Sequence, residues 1–121
     1  LITYGNTTHM CVELAEKLSK EGVASLEVLD LRSLSPLDND AIFATAKKTG
    51  KVVVVHEDKV FGGFGGEVVS LINELAFEYL DGPVKRVGST FTPVGFNRIL
   101  EAATLPNVTR IEEAVMDLLK Y

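Results

Sequence analysis

The chain has 121 residues, with 12 Lys+Arg against 17 Asp+Glu, a formal net charge of −5, and 46% hydrophobic and 24% charged residues. One domain with a single ordinary core is the expectation, and that apolar content excludes a disordered segment. No apolar run is longer than Val52–Val55, which rules out a membrane span, and an acidic balance without a clustered Lys/Arg face argues against nucleic acid as main partner.

Leu1-Ile2-Thr3-Tyr4 reads as a short strand ended by Gly5. From Thr8 to Lys20 the apolar positions Cys11, Leu14, Ala15 and Leu18 follow i, i+3, i+4, i+7, one face of a helix, and Gly22 sits where a left-handed C-cap belongs. On that face Cys11, the only cysteine, is a core thiol rather than a nucleophile. It can make no internal disulfide, which fits a reducing compartment. Leu26–Leu31 is the second strand, and Glu27 and Asp30 within it mark incomplete burial and an outer sheet position.

Ser35-Pro36-Leu37-Asp38 introduces a helix to about Lys48, with Asp38 as cap, Asp40 in the first turn, Lys47 and Lys48 in the last, and Gly50 as stop. Lys51–Val55 is an unbroken β-branched strand, the composition of a central parallel strand covered on both faces. Val68, Leu71, Ile72, Leu75, Ala76, Tyr79 and Leu80 then line the next helix, which Asp81-Gly82-Pro83 ends. Val84–Val87 is the fourth strand, followed by a loop through Thr92-Pro93-Val94 and a short helix around Asn97–Ala103. Asn107 caps a last helix with Ile111, Ala114, Val115 and Leu118 on its apolar face.

Alternating strands and helices imply a three-layer α/β/α fold with a parallel sheet and right-handed crossovers. The most apolar strand, the third, belongs inside and the most polar, the second, outside, which gives the order 2-1-3-4. Such sheets open a crevice at the carboxyl ends of the strands where the order reverses, and here that brings Gly5–Thr8 next to His56–Gly66.

The stretch His56-Glu57-Asp58-Lys59-Val60-Phe61-Gly62-Gly63-Phe64-Gly65-Gly66-Glu67 is the most unusual in the chain. Its glycines precede a helix, so free N–H groups there offer an anion cradle, yet the spacing is neither G-x-G-x-x-G nor a phosphate loop. A tight strand-to-helix crossing where a partner surface or backbone approaches closely is the better reading. His56 and Glu57 stand where α/β enzymes place functional groups, but no triad partner and no nucleophile elbow accompany them. His9, on a first helical turn, is exposed or capping. Two His and one Cys argue against an all-protein zinc site. Residue chemistry alone thus gives an α/β domain without a complete catalytic set.

Four strings in register add to this. Leu31-Arg32-Ser33-Leu34-Ser35-Pro36-Leu37-Asp38, Lys48-Thr49-Gly50-Lys51-Val52-Val53-Val54-Val55-His56-Glu57, Gly62-Gly63-Phe64-Gly65-Gly66-Glu67 and Leu80-Asp81-Gly82-Pro83-Val84-Lys85-Arg86-Val87 resemble the C-terminal domain of a particular β subunit. It is that of the thiamine-diphosphate-dependent decarboxylating component of 2-oxoacid dehydrogenase complexes, of pyruvate, branched-chain or acetoin type. The likeness runs over essentially the whole chain, to Leu105-Pro106-Asn107; transketolase and deoxyxylulose-phosphate synthase share the fold but match these strings less well.

The resemblance implies a fragment of a larger subunit, with the family's antiparallel first strand lying upstream of Leu1 and pairing beside the second strand. It implies that thiamine diphosphate and Mg are bound by other domains and none by this segment, that no catalytic or metal-binding residue lies here, and that the isolated domain is inactive. The expected partners are the other domains and subunits of an α2β2 or fused enzyme and its dihydrolipoyl acyltransferase, in the cytoplasm of a prokaryote or the mitochondrial matrix of a eukaryote. His56, Glu57, Phe61, Gly62, Gly63, Phe64, Gly65, Gly66 and Glu67 would form an interface or active-site-proximal loop, and Asp81 and Tyr121 would contribute to acyltransferase docking. Two other readings remain at this point: a transketolase-like ketol transferase or synthase domain, and a stand-alone small-anion-binding module.

Overall fold

The structure, a computed structural model, describes all residues 1–121. Four parallel strands, β1 (Ile2–Thr3), β2 (Leu29–Asp30), β3 (Val53–Lys59) and β4 (Lys85–Ser89), form one sheet in the order β2-β1-β3-β4. The order deduced from strand polarity is therefore the observed one. Five helices complete the chain: α1 (Thr7–Lys20), α2 (Asn39–Thr49), α3 (Gly65–Ala76), α4 (Arg98–Thr104) and α5 (Val108–Leu118). No helix is long and apolar enough to cross a membrane.

The pleat of β3 divides the core in two, because successive side chains of a strand point to opposite faces. Val53 and Val55 pack with Cys11, Leu14 and Leu18 of α1 and Ile111, Val115 and Leu118 of α5. Val52 and Val54 pack on the other side with Ile42 and Ala46 of α2 and Val68, Ile72 and Ala76 of α3. Cys11 is fully buried, as its place on the apolar face of α1 requires.

Local signals fix most helix ends. The Asp38 carboxylate accepts from the Ala41 N–H at 2.9 Å, and Asn107 caps α5 in the same way through the Arg110 N–H at 3.0 Å. Gly50 ends α2 with φ +66°, and Gly22 follows α1 with φ +68°, a conformation a Cβ penalises.

Several boundaries differ from the sequence reading, four of them enough to bear on the site. Only Leu29–Asp30 of the segment Leu26–Leu31 pairs as strand, because β1 offers just two residues to pair with. The helix carrying Val68 stops at Ala76 and tightens into a 3-10 turn, Phe77–Tyr79. β4 reaches Ser89 rather than Val87. Most consequentially, β3 does not end at Val55: it runs on through His56, Glu57 and Asp58 to Lys59. The extension pairs with β4 across an irregularity, since Val55 faces Val87 whereas Lys59 faces Ser89. Such a bulge inserts extra residues into one strand and re-aims their side chains.

Candidate functional site

The carboxyl end of β3 is where the sequence places its densest set of chemical groups. His56 continues the row of Val52 and Val54, and its ring is completely buried on the α3 side of the sheet. Glycines make that position possible. A Cβ on Gly65 would collide with the imidazole Nε2, and one on Gly63 or Gly88 would approach its Cε1 to 3.0 or 3.1 Å. Tyr4, at the end of β1, stacks on the imidazole with a centroid separation of 6.2 Å, and Phe64 meets Tyr4 edge-on at 6.1 Å. The Thr7 hydroxyl donates to Tyr4 O and lies 3.4 Å from Val55 O. The reversal of strand order thus brings the first crossover against His56, as expected for this topology.

Neither imidazole nitrogen has a hydrogen-bond partner. Burial pushes the His56 pKa below its ordinary value near 6.5; the Asp58 carboxylate opposes this shift and the Arg86 guanidinium reinforces it. The ring is neutral near pH 7 and sealed from solvent by its own chain.

The remaining groups of the stretch separate. Glu57 and Phe61 are exposed, and so is Glu67 in the first turn of α3. Gly62 takes φ +73°, while Gly63 and Gly65 are buried against His56. Two of the loop's N–H groups are engaged within it: Gly66 donates to Gly63 O and Glu67 to Phe64 O, both at 3.0 Å. The cations beside the loop, Lys59 and Arg86, are held to the backbone carbonyls of Thr92 and Val60, and no three His, Cys, Asp or Glu side chains converge to hold a metal ion. The glycines serve close packing of backbone on an imidazole.

Asp81 and Tyr121 lie at the opposite end of the sheet, where β4 begins. The Asp81 N–H donates to Gly50 O at 2.7 Å, and a Cβ on Gly82 would stand 3.2 Å from the Tyr121 Cβ. The fold thus gathers two residues forty positions apart in sequence onto one exposed corner. Beside it, Phe77, Glu78 and Pro83 border an open groove of ≈ 440 Å³.

Sequence reasoning missed Tyr4 and Gly88, which complete the enclosure of His56. Gly88 follows directly on the strand predicted at Val84–Val87, and only the longer observed strand, Lys85–Ser89, puts this glycine inside a strand, where it marks close approach of another group. It also missed Phe91, which meets Phe61 edge-on at 4.7 Å across the loop after β4.

A parallel sheet in this order, with helix pairs on both faces and a histidine sealed at the switch point, defines a doubly wound α/β domain. Comparison with known proteins resolves the class further. The family profile "Transketolase, C-terminal domain" matches residues 1–111, and the chain belongs to that family.

Three proteins of Bacillus subtilis (strain 168) are similar along nearly all of it. The pyruvate dehydrogenase E1 component subunit beta is 39% identical over 121 residues, covering 100% of this chain and 37% of the relative. The 2-oxoisovalerate dehydrogenase subunit beta is 37% identical over 122 residues, covering 100% and 37%. The acetoin:2,6-dichlorophenolindophenol oxidoreductase subunit beta is 36% identical over 119 residues, covering 98% and 34%. A solved structure, "Split gene transketolase, inactive beta4 tetramer", superposes with a TM-score of 0.79 at 30% identity, over 98% of this chain and 37% of that one. The chain spans little more than a third of the length of the relatives it matches.

Proposed function

We propose that the chain is the assembly domain of the β subunit in the decarboxylating component of a 2-oxoacid dehydrogenase complex. The whole enzyme would decarboxylate a 2-oxoacid on thiamine diphosphate and pass the acyl group to lipoamide, with cofactor and Mg held by other domains. The observation that carries this reading is end-to-end similarity to the β subunits of a pyruvate and a 2-oxoisovalerate dehydrogenase, at 39% and 37% identity, and to that of an acetoin oxidoreductase at 36%. The chemistry of the strand ends supports it: His56 is enclosed by its own chain. In keeping with the solved relative, a tetramer of β chains, the domain carries contacts between like chains. The corner at Asp81 and Tyr121 is the place for acyltransferase docking.

A domain swap tests this reading. This chain replaces the matching third of the Bacillus subtilis pyruvate dehydrogenase β subunit, which is co-expressed with its α subunit. Recovery of the intact hetero-oligomer and of pyruvate-dependent dye reduction is expected. A folded chimera that stays apart from the α subunit would overturn it. In parallel, pyrophosphate and thiamine diphosphate with Mg should leave the melting temperature of the chain unchanged; a concentration-dependent rise would favour an anion-binding module instead.

A further inference from the structure

His56 is buried at a cost that nothing around it offsets. A neutral imidazole always carries one N–H, yet neither ring nitrogen has a partner and the ring has no exposure. A buried donor left without an acceptor favours any rearrangement that lets water reach it.

The cover over the ring is a strap, Phe61–Gly65, that joins the end of β3 to the first residue of α3. Gly65 packs against the Nε2 edge, and Gly63 lies so near Cε1 and the Asp58 carboxylate that a Cβ would stand 3.0 and 3.1 Å from them. The strap is lightly tied. None of the N–H groups of Phe61, Gly62, Gly63, Phe64 and Gly65 donates within the chain, and the carbonyls of Gly63 and Phe64 hold only the N–H groups of Gly66, Glu67 and Val68. Gly62, at φ +73°, is a hinge at one end, and Gly65 and Gly66 are hinges at the other. Beyond the hinges the chain is fixed. Val60 donates to Ser89 O at 3.0 Å and accepts from Arg86 at 2.9 Å, while Val68 and Ile72 anchor α3 in the core.

The charges around the ring give the strap a direction of response. Asp58 on β3, Arg86 on β4 and Tyr4 at the end of β1 are the titratable or charged groups set about it. Glu67 on α3 is exposed, and the strap itself carries no ionisable side chain. Burial and the Arg86 guanidinium oppose a positive ring, and the Asp58 carboxylate offsets them only in part. The ring therefore takes up a proton more readily once the strap has lifted and water reaches it.

We propose that Phe61–Gly65 is an acid-opened strap: protonation of His56 holds it away from the strand ends while both cores stay folded. Opening bares the imidazole at the carboxyl end of β3 and draws Phe61 off Phe91. This goes beyond the assembly reading and does not depend on it.

Hydrogen exchange of the chain, followed by NMR from about pH 7.5 to about 5.5, tests this. Gly66, Glu67 and Val68 donate into the strap, so their amides should be at least about tenfold less protected than the core amides of α1 and α5 at every pH. Below the ordinary histidine value near 6.5 their protection, corrected for the intrinsic rate, should fall by up to about tenfold per pH unit. In His56→Gln, which cannot take the proton, that slope should vanish. In the parent, the His56 ring protons and the Gly63 and Gly88 amides should shift along one titration curve, separate from that of the exposed His9, with far-UV circular dichroism unchanged. Strap-linked amides as protected as the core would mean that only unfolding frees the ring, and would overturn the proposal. So would low protection without a pH slope, a slope that survives in His56→Gln, or a His56 ring that titrates only as circular dichroism is lost.

Discussion

Gly65 shows how one missing Cβ places a ring. Its backbone rests on the His56 imidazole, a rigid group already confined by Gly63, Gly88 and Tyr4, so a methyl there has nowhere to go. Gly65→Ala should cost about 1–3 kcal/mol, the range for overpacking a filled core. The cause can be isolated by removing the ring. In a His56→Ala background the same substitution should cost at least about 0.5 kcal/mol less, because contacting residues couple. Urea midpoints for the four proteins of this cycle decide it; equal costs in both backgrounds would rule the imidazole out as the obstacle.

His56 itself predicts a pH dependence. Its folded pKa lies below the ordinary value near 6.5, with burial as the main cause. Between the two values the unfolded chain binds a proton that the folded chain does not, so unfolding becomes more favourable as pH falls. Stability is complete above about pH 6.5 and declines below it, by at most about 1.4 kcal/mol per pH unit from this group. The depressed carboxylates, Glu27 beside Lys48 and Asp117 beside Lys85, act lower, as pH falls through and below their ordinary values of 4.5 and 3.8. Denaturation midpoints from pH 7.5 to about 5.5 should fall in the parent and fall less steeply in His56→Phe, the buried Leu1 amino group, also held below its ordinary value of 8.0, contributing equally to both. A parallel slope in that variant would assign the acid sensitivity elsewhere.

At the scale of elements, three caps of like geometry separate local from tertiary stabilisation. Asp38, Asn97 and Asn107 each accept from a first-turn N–H, at 2.9, 2.8 and 3.0 Å. Asp38→Ala and Asn107→Ala should each destabilise the fold by about 1 kcal/mol, since α2 and α5 carry core residues. Asn97→Ala should change global stability by less than about 0.5 kcal/mol, because α4 buries nothing and its fraying is not coupled to unfolding. Thermal and urea denaturation of dilute chain would distinguish the cases, and a loss at Asn97 equal to the others would mean α4 is integral to the monomer.

The same contrast explains what was legible in the sequence. Asp38, Gly50 and Asn107 announce their elements because a cap acts within one turn, and α1 shows its face because i, i+3, i+4 spacing is local. The strand order was readable too, since burial on two faces demands the apolar run of Val52–Val55. The continuation of β3 was not. His56-Glu57-Asp58-Lys59 looks like a polar loop, and its pairing depends on Ser89 and Val60, whose N–H donates to Ser89 O. The enclosure of His56 depends likewise on Gly88 from the neighbouring strand. Ile99 and Leu100 look like a core-facing pair, and nothing local records that no core lies opposite them.

At the scale of the whole molecule, the sheet separates two cores and gives the domain two distinct ends. The end of β3 seals His56; the start of β4 presents Asp81 and Tyr121. A partition this complete should show in energetics. Leu14 lies wholly in the layer of α1 and α5, and Ile72 wholly in the layer of α2 and α3. They share no neighbour except the sheet, whose valines point alternately to one layer or the other. Leu14→Ala and Ile72→Ala should each cost about 2–5 kcal/mol through lost burial and residual cavity. Their double variant should match the sum within about 0.5 kcal/mol, as independent sites do, provided enough stability remains to measure it. Guanidinium or urea curves in a stabilising salt supply the numbers. A coupling above about 1 kcal/mol would mean that β3 shifts as a body when either layer loosens. Changes made at the helices of one layer would then be felt in the other, and the two layers could not be altered one at a time.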